Sequence, residues 1–459
     1  MIHRYQKKGL NFVLDVNSGA VHLLDDISYA VSGLLDENMG DTCPQSIIDA
    51  LPDYTADEIR EAYDELYELK KAGQLFAQDD YIDVSRYIPV NAPVKALCLH
   101  VAHDCNLRCK YCFASTGDFG QGRKIMPPEI AKKAIDFVIA RSGVRHNIEV
   151  DFFGGEPLMA WDTVTQTVDY ARSLEKKYNK KFRFTITTNG LLLDEDKRKY
   201  INENMDNCVL SLDGRREVND EFRKTVAGTG SYDTIVPKFK ALVDERDPNL
   251  DYYARGTFTS HNLDFAEDVL SIADAGFDRL SVEPVTADPG CGYDLTEDDL
   301  PKIEAEYDRL TDIMLERKKE GKPFTFFHFM VDLDQGPCVV KRLRGCGAGY
   351  EYVAVTPDGD IYPCHQFVGK DEFKQGSVLD QSFNMDIAQT FAGMNIYSRP
   401  KCQKCWAKFY CSGGCSAANY NMNHDMNDSY DLGCEMERKR LECAIYLKAM
   451  DKICANQSK

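Results

Sequence analysis

Cys105-Asn-Leu-Arg-Cys109-Lys-Tyr-Cys112-Phe113 places three thiols within eight residues. A structural zinc takes four ligands in a closed tetrahedron, so three is an odd number for it. Three thiolates suit a four-iron, four-sulfur cluster held at three of its irons, with the fourth open to another ligand. A zinc knuckle completed by a fourth ligand such as His103 is the other reading of this stretch taken alone.

Downstream the texture is regular. Strand-like runs at 96–101, 148–153, 182–187, 208–212, 253–258 and 279–282 alternate with helix-like runs such as 130–139, 164–178, 232–243 and 266–273. Repeated β-α units imply a parallel sheet covered by helices. In β/α barrels the active site lies at the C-terminal ends of the strands. The cysteine stretch follows the first strand, Gly154-Gly155-Glu156-Pro157 the second, Thr187-Thr188-Asn189-Gly190 the third and Ser211-Leu212-Asp213-Gly214 the fourth. Each alone could be an ordinary turn; four in register point to one ligand site. The glycines would let the backbone approach a ligand, and Glu156 could accept from an ammonium.

The C-x3-C-x2-C spacing, with Tyr111 before and Phe113 after its last cysteine, resembles the signature of the radical SAM superfamily, and Gly154-Gly155-Glu156-Pro157 resembles its GGEP motif. The resemblance implies a partial (β/α)6 barrel of α/β class. It implies a [4Fe-4S] cluster on Cys105, Cys109 and Cys112 whose open iron binds S-adenosylmethionine (SAM). An electron from the cluster then cleaves SAM to methionine and a 5'-deoxyadenosyl radical. Tyr111, Phe113, Gly154, Gly155, Glu156, Thr188, Asn189, Ser211 and Asp213 are the expected SAM contacts, with Arg223 aimed at its carboxylate. Glu283 would point into the barrel mouth; Asp213 and Glu283 are candidate bases.

Thr296 should cap a long helix over 300–319 that leads out of the barrel. Beyond it come Cys346, Cys364 after the turn signal Pro357-Asp358-Gly359, then Cys402-x2-Cys405-x5-Cys411-x3-Cys415 and Cys434. This run resembles the seven-cysteine SPASM domain. The resemblance implies two auxiliary clusters, hence three [4Fe-4S] clusters in all. Cys402, Cys405, Cys411 and Cys434 would fill one auxiliary cluster. Cys346, Cys364 and Cys415 would hold the other, one ligand short of the usual four; Cys338 could complete it. The rival reading is a pair of zinc ribbons in an adaptor protein. Cys43, Cys98, Cys208, Cys291, Cys443 and Cys454 are expected to be packing residues. His100 and His103 would not share a helical face and receive no role.

Ahead of the barrel, runs at 10–14 and 20–24 read as two strands around Asn17-Ser18-Gly19. Helices follow: one capped by Ser28, one over 44–51, and one opened by the capping box Thr55-Ala-Asp-Glu58. Leu75-Phe76 reads as a final strand. The pattern resembles PqqD-like winged-helix domains, in which a leader peptide adds a strand to the sheet edge. The expected organisation is a recognition domain over 1–90, the partial barrel over 91–320, and a bridge with the SPASM domain over 321–459. The segment 88–93 is a proline-punctuated connector.

With 55 basic and 74 acidic side chains the formal charge is −19, a field that repels phosphate backbones, so nucleic acid is not an expected partner. No apolar run approaches a membrane span and the first residues lack a signal-peptide core, so a cytoplasmic protein with no membrane partner is expected. Disulfides are disfavoured there, which turns the clustered cysteines, three at 105–112 and nine from Cys338 to Cys443, towards metal.

Over nearly its whole length the chain is similar to radical SAM/SPASM peptide maturases, most of all the sactisynthase type that forms thioethers in SCIFF peptides. The resemblance implies a ribosomally made, Cys-rich precursor peptide bound through its leader, and an electron donor such as flavodoxin or ferredoxin. It implies that a Cα loses hydrogen and bonds a cysteine sulfur of the same peptide. Anaerobic sulfatase maturation and carbon–carbon peptide cross-linking are the alternatives.

Overall fold

The computed structural model describes residues 1–86, 92–333 and 339–457. It opens with an antiparallel sheet of β1 (Ile2–Lys7), β2 (Leu10–Asp15) and β3 (Val21–Leu24), in that spatial order. Two strands are expected here and three are found. His3, Arg4 and Gln6 interrupt the apolar alternation that would announce β1. Helices α1 (Asp26–Ser32), α2 (Gln45–Ala50) and α3 (Ala56–Lys71) cover one face, where Val13 packs with Val31, Ile47, Ile59 and Tyr63. Asp25, not Ser28, caps α1: its carboxylate accepts from the Ser28 amide at 2.8 Å. The Thr55–Glu58 capping box forms as expected. Leu75-Phe76 is not a strand; Leu75 is buried in the small core and Phe76 takes a left-handed φ of 53°. Helix α4 (Tyr81–Arg86) ends this part. Of the 88–93 connector, residues 88–91 lie outside the described residues.

The barrel portion runs β4 (Ala96–His103), β5 (Leu107–Cys109), β6 (Lys124–Ile125), α5 (Pro128–Arg141), β7 (Asn147–Gly154), α6 (Trp161–Tyr178), β8 (Lys181–Thr188), α7 (Glu195–Asn204), β9 (Asn207–Ser211), α8 (Arg216–Phe222), β10 (Arg223–Thr225), α9 (Tyr232–Asp244), β11 (Asp251–Phe258), α10 (Phe265–Asp274) and β12 (Arg279–Pro284). In space β4, β7, β8, β9, β11 and β12 lie side by side in sequence order, all parallel. This is the wall of a partial barrel, and each strand lies within about two residues of the bounds read from sequence. Side chains alternate along each strand. Val150 and Phe152 of β7 and Phe184 and Ile186 of β8 pack under the helices with no exposure, leaving the other face for polar residues.

The C-terminal part supplies the long helix α11 (Leu300–Lys319), entered through a Thr296–Asp299 capping box, then β13 (Thr325–Phe326), α12 (Val339–Arg344), β14 (Tyr352–Val355) and β15 (Asp360–Tyr362). Strand β13 extends the wall beyond β12, and β14 extends it beyond β4, both in parallel. The hairpin β14–β15 turns at Gly359, φ 89°. Helices α13 (Met385–Gly393), α14 (Pro400–Gln403), α15 (Lys408–Cys411), α16 (Ser416–Asn423) and α17 (Asp431–Gln457) complete the chain. Among the described residues no helix is long and apolar enough to cross a membrane.

The N-terminal sheet does not hang free. Phe12 and Leu14 pack on Ile445 and Tyr446 of α17. Val16 shares a cluster with Leu343, Ile396, Cys402 and Phe409. The His3 and Trp406 rings stack at 3.8 Å.

Candidate active site

The three thiols of the opening stretch lie where β4 ends, and the local backbone explains how. The Gly155 amide donates to the Ala102 carbonyl at 2.7 Å, and the Glu156 amide to the Asp104 carbonyl at 2.9 Å. The loop after β7 is therefore zipped onto the residues just before Cys105. A Cβ on Gly154 would lie 2.2 Å from the Ala102 oxygen, and one on Gly155 2.1 Å from the Asp104 oxygen. The absent side chains thus admit a neighbouring backbone, beside the cavity that both glycines border. Gly155→Ala is accordingly expected to cost about 2–4 kcal/mol, as backbone must move to admit the methyl, measurable as a lowered unfolding midpoint of the anaerobic protein.

Strand β5 pairs antiparallel with β10, placing Cys109 opposite Arg223. The Arg108 guanidinium donates to the Cys105 and Leu107 carbonyls at 2.6 and 2.7 Å, which fixes the loop. The Leu107 amide and the Asn189 side chain approach the Cys105 sulfur at 3.4 and 3.6 Å.

These elements frame a cavity of about 270 Å³. Phe153, Thr187, Ser211, Arg255, Thr257 and Glu283 line it, all from one face of five consecutive barrel strands near their C-terminal ends. Of the expected contacts, Cys105, Cys109, Tyr111, Cys112, Phe113, Gly154, Gly155, Glu156, Thr188, Asn189, Ser211 and Arg223 border it.

Asp213 does not. It is fully buried behind the wall, where it accepts from the Tyr111 hydroxyl at 2.5 Å and the Thr257 amide at 3.0 Å and pairs with Arg223 at 3.0 Å. The sequence placed it just past a strand but could not say which way it turned. Asp213 positions Tyr111 and Arg223 and has no path to a substrate, so it is withdrawn as a candidate base. Arg223 is no surface ion pair; its side chain is 11% exposed and its Nε is buried with no hydrogen-bond partner. That orphaned donor suits a carboxylate in the cavity.

Glu156 is also more occupied than expected. Its carboxylate accepts from the Leu158 amide at 3.0 Å, the Thr188 hydroxyl at 2.8 Å and the Asn189 amide at 2.8 Å. A carboxylate offers about four acceptor positions, so about one is left for a ligand ammonium. Burial pushes its pKa up to about 7, against those hydrogen bonds.

Burial pushes Cys105 and Cys109 up to about 12 and raises Cys112. Three such thiols would ionise together only around strong positive charge, as cluster irons provide. The donor set and Arg223 thus fit a cluster with a bound amino acid carboxylate.

The C-terminal cysteines divide into two groups. Cys402, Cys405, Cys411 and Cys434 line one cavity of about 60 Å³. Burial raises Cys411, with further contributions from Glu437 and the other three thiols; burial also pushes Cys434 up to about 11. Burial raises Cys364 well above the usual thiol range, and the nearby Cys415 and Cys346 add to it. Arg399, 2% exposed, feels Cys402 and Cys411 of one group and Cys415 and Cys346 of the other. Cys338 lies outside the described residues. Among the described residues no three His, Cys, Asp or Glu side chains converge closely enough to hold a single metal ion; the thiols stand around cavities.

Cys98, Cys208 and Cys443 are buried, as expected of packing residues. Cys43 is only half-buried, at the edge of the N-terminal core; Cys291 and Cys454 are exposed. His100 and His103 do meet, with ring nitrogens 3.2 Å apart and both rings buried. A register shift in β4 between His100 and Ala102 turns them to one side. The sequence reading passed over Arg255, His365 and Arg399. His365 was signalled only by adjacency to Cys364, and Arg255 lies within the 253–258 strand run with no motif beside it.

Comparison with known proteins agrees with this geometry. The radical SAM superfamily matches residues 99–251, and the SPASM iron-sulfur cluster-binding domain matches 346–406. The cysteine-type anaerobic sulfatase-maturating enzyme of Clostridium novyi (strain NT) is 26% identical over 357 residues, 72% of this chain and 90% of that one. The structure of native anSMEcpe with bound AdoMet and Kp18Cys peptide superposes with a TM-score of 0.64 at 21% identity, over 78% of this chain and 99% of that one. Streptococcus suis SuiB bound to precursor peptide SuiA gives 0.52 at 17%, over 93% and 97%. The chain thus carries a radical SAM domain with a partial barrel, mixed α/β in build, followed by a C-terminal SPASM domain, and these imply [4Fe-4S] clusters and SAM.

Proposed function

We propose that this protein is a radical SAM maturase that installs a thioether, cysteine sulfur to Cα, in a ribosomally made Cys-rich precursor peptide of the SCIFF type. The observation that carries the reading is the combination of a SAM-sized cavity with two further thiol groups and a docked N-terminal sheet. Residues 1–90 act as the recognition domain, 91–320 as the partial barrel, and 321–459 as the bridge and SPASM domain.

Cys105, Cys109 and Cys112 hold the first cluster; bound there with SAM, it supplies a 5'-deoxyadenosyl radical. Arg223 offers its free Nε to the SAM carboxylate. Glu156 offers its remaining acceptor position to the ammonium. Asn189 and Ser211 lie on the wall for the ribose, while Thr188 holds Glu156 in place. Tyr111, tethered by Asp213, and Phe113, 46% exposed, close the cavity against water. Cys402, Cys405, Cys411 and Cys434 hold one auxiliary cluster; Cys346, Cys364 and Cys415 hold another, completed by Cys338 or a substrate thiol.

The leader is read at β3. Its partner β2 lies on one side, and no strand among the described residues pairs on the other. Leu23 on that strand is 42% exposed, and an open strand edge recruits an extended peptide by main-chain hydrogen bonds. SuiB, whose likeness covers 93% of this chain, was solved with its precursor peptide, which supports a peptide substrate. Maturation of a sulfatase is the second reading, favoured by the Clostridium novyi relative. Against it, 90% of that relative is covered by 72% of this chain, leaving residues over for another task.

The test is incubation of reconstituted enzyme, SAM and reductant with a Cys-rich precursor peptide. A mass loss of two hydrogens with one alkylation-resistant cysteine is expected. Conversion of a sulfatase cysteine to an aldehyde, with no change in the precursor peptide, would replace this reading by the second.

A further inference from the structure

Glu283 lies on the cavity wall, where Arg255 and Ser281 donate to it. Its Oε2 accepts from Arg255 Nη2. Its Oε1 is 3.3 Å from the Ser281 hydroxyl and 3.9 Å from His328 Nε2. The Ser281 hydroxyl is itself 3.4 Å from His328 Nε2. On the far side of the ring, Arg440 Nη1 of α17 is 3.1 Å from His328 Nδ1. A guanidinium can only donate, so Nδ1 accepts and the ring proton sits on Nε2, turned towards Ser281 and Glu283.

The other groups around this site are accounted for. Arg440 is paired with Glu437 on its own helix, and its side chain is 13% exposed. Burial, Arg440 and Arg255 together hold His328 well below the ordinary histidine range, so it stays neutral. Tyr307 of α11 is buried nearby with its hydroxyl unpartnered, and feels Arg440, Glu437 and Glu283. Across the strands Glu283 faces Thr257.

We propose that Glu283 is the proton acceptor for the peptide, a catalytic residue that removes the proton from the substrate thiol, and that Ser281, His328 and Arg440 are positioning residues that hold its carboxylate in place on the cavity wall. The step is a proton transfer alone. The S–H bond breaks, sulfur keeps the electron pair as a thiolate, and the proton joins the Glu283 carboxylate to give the neutral acid; no electron moves. A positioned base of this kind contributes about 10²–10⁴-fold. Arg255 and Ser281 take two of its roughly four acceptor positions, and the side chain is 30% exposed on the cavity wall.

The inference rests on the thioether reading and is tested on the reconstituted holoenzyme with a Cys-bearing precursor. The quantity is cross-linked peptide formed per 5'-deoxyadenosine. For Glu283→Gln this ratio should fall about a hundredfold or more, with iron content and thermal midpoint checked in parallel. His328 Nε2 reaches Ser281, which in turn donates to Glu283. His328→Phe removes that support and should lower the ratio by about tenfold or more. His328→Gln can still accept from Arg440 and donate to Ser281, and should restore the wild-type ratio. A Glu283→Gln ratio within about threefold of wild type would overturn the proposal, as would His328→Phe and His328→Gln ratios that both equal that of wild type. If wild type cleaves SAM but modifies no cysteine peptide, the thioether reading itself fails, and the role given to Glu283 falls with it.

Discussion

With Cys105, Cys109 and Cys112 all replaced by Ala, the anaerobically reconstituted protein should hold about eight irons in place of about twelve, and reductive SAM cleavage should disappear. The separation of the thiol groups is the reason. The first three cysteines border the barrel cavity, while Cys402, Cys405, Cys411 and Cys434 border their own. Removing one set leaves the others' ligands in place. Three Ala side chains in the cavity wall remove three half-buried sulfurs without adding a buried charge, so the barrel should persist. Iron and sulfide analysis with a 5'-deoxyadenosine assay checks both halves. Zinc at the stoichiometry expected for iron, or SAM cleavage surviving in the triple variant, would refute the assignment.

The barrel was legible because its signal is local. Each strand is a short apolar-alternating run, and each motif sits at the end of one. The cysteine groups were legible because their spacing is local too, from Cys402 to Cys415 above all. What escaped the sequence was direction and distance. Asp213 and Ser211 are two residues apart, yet Ser211 faces the cavity and Asp213 is sealed behind it by Tyr111, Thr257 and Arg223. Glu156 looked like a free carboxylate because two of its three donors, Thr188 and Asn189, sit more than thirty residues away. The Glu283–His328–Arg440 array joins a barrel strand, the segment after β13 and the last helix, a convergence no local pattern encodes.

The docking of the N-terminal sheet has the second large consequence. A recognition domain tethered by a linker could be removed without harm to the rest, and from sequence that is the natural expectation. Here the segment after α3 reaches the four-cysteine loop: Asp79 pairs with Lys408 at 2.9 Å and accepts from the Tyr397 hydroxyl at 2.5 Å. Lys408 is 5% exposed, beside Cys405 and Cys411 in the wall of the auxiliary cavity. Val16 packs in the same cluster as Cys402 and Phe409, and His3 covers Trp406. Breaking a buried ion pair by removing one partner strands the other charge, at a cost of about 3–5 kcal/mol. Asp79 is about a quarter exposed on its side chain, so solvent screening reduces that figure. Asp79→Ala should therefore loosen the loop and lower iron retention at the four-cysteine site. Deleting residues 1–86, which also bares Phe409, Trp406 and Tyr446, should cost about four of the twelve irons rather than peptide affinity alone. Iron content after gel filtration reads this directly, and Asp79→Asn, which keeps the hydrogen bond from Tyr397 but not the charge, should fall between wild type and Asp79→Ala. A truncated protein that keeps its full iron and merely loses the peptide would show the sheet to be an independent module.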